Sequence, residues 1–146
     1  MNDWAENAIG KIRQKQENER LKAAKLAEQQ RIRKAHGTLR WDQVRAKVRA
    51  LAAALKEKSG GTDILVIQND QPTEMVVRNQ VGGGQLLHIA FDLETTKLSW
   101  TCGDEVRDGW EISVTETGGA EFVWGRGIPA SIDSIATQML EALLEI

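Results

Sequence analysis

The segment from Lys11 to His36 contains no glycine, no proline and no aromatic residue. Lys, Arg, Gln, Glu, Ala and Leu dominate it, and these side chains lose little rotamer freedom in a helix. Glu17–Arg20, Glu19–Lys22 and Glu28–Arg31 fall at i,i+3 and support a helix by about 0.2–0.5 kcal/mol each. Upstream, Asp3-Trp4-Ala5-Glu6 has the form of a capping box, which marks a helix start. Gly10 is expected inside that helix at a cost of about 1 kcal/mol. The large apolar residues Ile12, Leu21, Leu26 and Ile32 do not repeat at a/d spacing, so they make a poor coiled-coil seam. A helix with so little apolar surface has little to bury. Residues 1–37 therefore read as a helical arm that projects from the rest of the chain.

That arm is basic. Residues 1–58 hold fifteen Lys/Arg and seven Asp/Glu, a net +8. Residues 59–146 hold four and fourteen, a net −10, which together give the overall −2. A split of this size separates two functional zones. Lys11, Arg13, Lys15, Arg20, Lys22, Lys25, Arg31, Arg33 and Lys34 are the candidates for contacts with phosphates or with an acidic partner.

His36-Gly37-Thr38 resembles a C-terminal glycine followed by a fresh N-cap, so a break is expected there. Beyond it Trp41, Val44, Val48, Leu51 and Leu55 are spaced 3, 4, 3 and 4, the stripe of an amphipathic helix that ends at Ser59-Gly60-Gly61. The pattern then becomes β. Runs at 62–68, 73–81, 85–93, 97–102, 110–114 and 121–125 are separated by Asn69-Asp70-Gln71-Pro72, Gly82-Gly83-Gly84, Glu94-Thr95-Thr96, an acidic loop opening at Gly103-Asp104-Glu105, and Gly118-Gly119. Connections this short require antiparallel hairpins. Leu87, Ile89, Phe91 and Leu93 alternate on one face, as do Leu98, Trp100 and Cys102. A last helix starts near Pro129 and Ser131, with Ile132, Ile135, Met139, Leu143 and Ile146 on its apolar face.

The fold class is thus α+β: a long N-terminal helical arm, an amphipathic helix, an antiparallel meander of about six strands, and a C-terminal helix packed on the sheet. Residues 38–146 form the single globular domain, long enough to bury its own core.

Catalytic and metal chemistry find little material. Gly82-Gly83-Gly84 leads into a strand instead of a helix N-terminus and lacks the phosphate-loop lysine. Cys102 alternates with core residues and is flanked by acids that would raise its pKa. His88 and Asp92 lie too far apart along one strand to bond, and His36 suits a helix C-terminus. Asp104, Glu105 and Asp108 lack the spacing of a calcium loop. No catalytic residue, metal ligand or cofactor is assigned. No apolar run of membrane-spanning length is present, no secretory leader is expected from the charged start, and the arm lacks a continuous apolar face for a membrane surface. A cytoplasmic protein is expected.

Of the five tryptophans, Trp100, Trp110 and Trp124 fall on successive strands in phase with apolar neighbours, and read as one core layer that Trp41 joins. Trp4 stands apart, with Ala8, Ile9 and Ile12 beside it on a polar helix. That patch reads as a docking element. The expected function is a non-enzymatic protein–protein interaction or assembly module, its arm docking on another protein or a second copy, with a homo-oligomer favoured. The alternatives are a nucleic-acid-associated protein that uses the basic arm, and a small-ligand or peptide binder on the open sheet face.

Overall fold

The computed structural model describes residues 2–146. One helix, α1, runs from Asn2 to Lys58 over 57 residues. Seven strands follow: β1 Leu65–Gln71, β2 Glu74–Asn79, β3 Leu86–Asp92, β4 Lys97–Cys102, β5 Glu105–Val114, β6 Ala120–Trp124 and β7 Ile128–Pro129. Helix α2, Ile132–Leu144, ends the chain. The strands lie in sequence order in one sheet, each antiparallel to its neighbour, so the α+β meander stands.

One face of the sheet holds the core. Met75, Val77, Leu87, Ile89, Leu98 and Phe122 are buried there, with Trp41, Val44 and Val48 of α1 and Ile135, Met139 and Leu143 of α2 laid across them. Trp41 stacks on Phe91 at 5.9 Å between ring centroids, and its Nε1 donates to the Pro72 carbonyl at 2.8 Å. Trp100 and Trp110 stack at 6.1 Å, and Trp100 Nε1 donates to the Asp108 carbonyl. Buried indoles keep a hydrogen-bond partner in this way. Helix α2 starts at Ser131, whose hydroxyl accepts from the Ser134 amide, and stops at Glu145 in the left-handed conformation. Asn79 ties α2 to the sheet: its Nδ2 donates to the Leu143 carbonyl while its Oδ1 accepts from the Val81 and Gly82 amides.

The expected break at Gly37 is absent. The glycine lies within α1 and is buried, and a Cβ there would lie 3.2 Å from Ile112, 3.3 Å from Phe91 and 3.4 Å from Thr96. Gly37 serves close approach of helix to sheet, not helix termination. Thr38 turns its hydroxyl back to the Lys34 carbonyl instead of capping a new helix. Asp3 falls in the first turn of α1, where its charge still suits the helix dipole.

Smaller differences share one cause, the placement of turns. The first hairpin turns at Pro72-Thr73, so Asn69, Asp70 and Gln71 belong to β1. A bulge at Gln68 shifts the register, so that Asp70 lies opposite Met75, on the helix-facing side. There Arg45 and Arg49 of α1 bond it. Burial alone would raise the Asp70 carboxyl, but the two guanidiniums outweigh it and hold the group below its usual range. The acidic loop is a two-residue turn at Gly103-Asp104, and Glu105 to Asp108 extend β5. Leu93 belongs to a turn and is exposed, and Trp124, the last residue of β6, is half exposed. Trp124 is therefore not part of the core layer.

Candidate functional site

The first half of α1 is the surface that the rest of the fold leaves unused. Glu94 bonds Lys34 at 3.0 Å, and from Gly37 onward α1 lies against the sheet. Residues 2–31 span about 45 Å at 1.5 Å per residue. A segment this polar would be a marginal helix alone, but it extends a helix already nucleated by its packed half.

The tip patch is where the sequence places it. Trp4, Ile9 and Ile12 are exposed, Trp4 at 78%, and Ala8 is partly covered. Trp4, Ala8 and Ile12 recur at i,i+4 and share one side of the helix, with Ile9 beside them.

Helical geometry sorts most of the candidate basic residues into two stripes. At 100° per residue Lys11, Lys15 and Lys22 lie on one side, with Lys25 and Arg33 near them. Lys11, Lys15 and Lys22 border a single shallow groove with Gln14, Asn18 and Glu19. Arg13, Arg20 and Arg31 follow a second line about 170° away by the same rotation. Two of these arginines are partly neutralised by intrahelical pairs, Glu17–Arg20 and Glu28–Arg31. The carboxyls of Glu17 and Glu28 are lowered by those hydrogen bonds. Lys34 is held by Glu94, at the junction of arm and sheet.

The remaining candidates fall elsewhere. Cys102 is buried; its surroundings push the thiol up, burial first and the Glu145 and Glu105 charges after it, against the pull of Arg107. His88 Nε2 approaches Glu74 at 3.2 Å on the exposed sheet face, a pair across the β2–β3 hairpin that sequence alternation did not single out. Asp92 accepts from the Glu94 and Thr95 amides in its turn, and those bonds lower its carboxyl. Trp100 and Trp110 face the helices, so they offer no platform on the open side of the sheet. Among the described residues no three His, Cys, Asp or Glu side chains converge as a metal site, and no helix is long and apolar enough to cross a membrane. Comparison with known protein families, curated proteins and solved structures finds no match to this chain.

Proposed function

We propose that this chain is a non-enzymatic interaction or assembly module whose basic helical arm docks on another protein or on a second copy of itself. One observation carries the reading: some thirty residues of continuous helix stand clear of the body, with Trp4, Ile9 and Ile12 exposed near the tip. Exposed apolar residues grouped at the end of a largely polar rod favour burial against something else. A cytoplasmic setting suits a chain with one cysteine and hence no internal disulfide.

Light scattering behind size exclusion tests this, on the full chain and on residues 31–146, at low and high salt. A full-length dimer with a monomeric trimmed form identifies self-docking through the arm. Two monomers direct attention to an outside partner. Loss of the folded body on trimming refutes the reading, because the arm would then be a structural element.

The two basic stripes favour one second reading, an arm that contacts the phosphates of a nucleic acid. Its signature is an affinity that falls steeply as salt rises.

A further inference from the structure

Along the first half of α1 runs a repeat that the large apolar residues alone conceal. Ala5, Ile9 and Ile12 begin it, Gln16 and Glu19 form its middle, and Ala23, Leu26 and Gln30 close it. The steps are 4, 3, 4, 3, 4, 3 and 4, which is the a/d rhythm of a coiled coil. Every one of these side chains is exposed. Leu21 and Ile32 lie off this line, and counting them in place of Ile9 and the alanines makes the seam look irregular.

The edges of the seam select the partner. Lys15 and Lys22 fall at g positions, and Arg13 and Arg20 at e positions. An antiparallel second copy would set Lys15 against Lys22 and Arg13 against Arg20. A parallel copy would set Lys15 against Arg20 and Glu19 against its own counterpart. Like charges across such a seam oppose both pairings. A nucleic acid would satisfy the same cations, but it has no use for the exposed apolar residues Ile9, Ile12 and Leu26 that flank them along the seam.

We propose that the arm is one helix of a heterotypic coiled coil, and that its partner is an acidic amphipathic helix of another chain. The partner is apolar at a and d, carries Asp or Glu at e and g, and has a basic or amide side chain opposite Glu19. The inference rests on the arm being a docking element.

The test uses the full-length chain and a synthetic peptide of four heptads with Ile and Leu at a and d and Glu at e and g. A peptide with Lys at e and g and a short DNA duplex serve as the other probes. The acidic peptide binds and the lysine peptide does not. Ile9→Asn with Ile12→Asn weakens that binding by at least about tenfold at unchanged melting temperature. Arg13→Glu with Lys15→Glu, Arg20→Glu and Lys22→Glu moves the preference to the lysine peptide by a similar factor.

Absence of acidic-peptide binding overturns the proposal. So does peptide binding indifferent to the isoleucine changes, or a DNA duplex that binds while the acidic peptide does not. An arm-dependent homodimer at low salt also overturns it, yet leaves the docking reading standing. Only loss of the body on trimming removes both.

Discussion

Replacing Gly37 with alanine sets two opposed effects against each other. At an exposed helix interior the change stabilises by about 1 kcal/mol, because alanine has less backbone entropy to lose. At Gly37 the new methyl would lie 3.2–3.4 Å from Ile112, Phe91 and Thr96. Phe91 and Ile112 are buried and packed, so neither has space to retreat. Crowding of that kind costs about 1–3 kcal/mol. The larger effect wins, and Gly37→Ala is expected to lose about 1 kcal/mol net, or roughly 3–5 °C in melting temperature for a body of this size. Gly37→Val adds two more carbons and a β-branch, and is expected to lose about 3 kcal/mol or more. Thermal and urea unfolding followed by circular dichroism measures both. Stabilisation of about 1 kcal/mol by alanine would refute the close approach of helix to sheet. Rapid amide exchange across residues 36–41 of the native chain would refute the continuous helix.

Gly10, by contrast, has nothing within 4 Å of a built Cβ. Gly10→Ala is expected to raise helical ellipticity and leave the melting temperature of the body unchanged. Asn79→Ala leaves the Leu143 carbonyl and the Val81 and Gly82 amides without their partner, which should cost about 2–3 kcal/mol in denaturant unfolding; a loss under about half a kcal/mol would mean water replaces it freely. The Asp70 carboxyl is lower in the folded chain than in the unfolded one, so its contribution is present above the unfolded value of about 3.9 and is lost as pH falls toward the depressed folded value. Asp70→Asn should therefore destabilise the protein near neutrality, with the gap to the native chain closing below about pH 4; a gap that stays constant in acid argues against the pairing with Arg45 and Arg49. Acrylamide should quench Trp4 and Trp124 readily and spare Trp41, Trp100 and Trp110, as read by restoring single tryptophans in a phenylalanine background.

The elements whose partners are local in sequence could be read directly. The stripe from Trp41 to Leu55, the Ser131 cap and the alternation of Leu87, Ile89 and Phe91 all appear in the fold because period and turn chemistry agree with burial there. Gly37 could not be read this way. Its local chemistry is that of a helix stop, and only the distant side chains of Phe91, Thr96 and Ile112 explain a glycine inside a helix. Trp124 alternates correctly yet is half exposed, and alternation reports a face without reporting what covers it. The Gln68 bulge, which turns Asp70 toward Arg45, and the two-residue strand β7 leave no periodic trace. On the arm the nine cations were visible at once as a group. Their arrangement in two stripes follows from the rotation of about 100° per residue along the arm.

An unbroken α1 also makes the arm a ruler. Each residue added between Ile12 and Lys34 pushes the tip outward by about 1.5 Å and swings it by about 100° around the axis. Two extra residues would therefore advance Trp4 by only about 3 Å yet present it to nearly the opposite side of the body. Seven would advance it by about 10 Å and bring it back to within about 20° of its original bearing. Tolerance to insertion should accordingly rise and fall with the helical repeat instead of declining steadily with length, and direction, more than reach, is the quantity this helix holds constant.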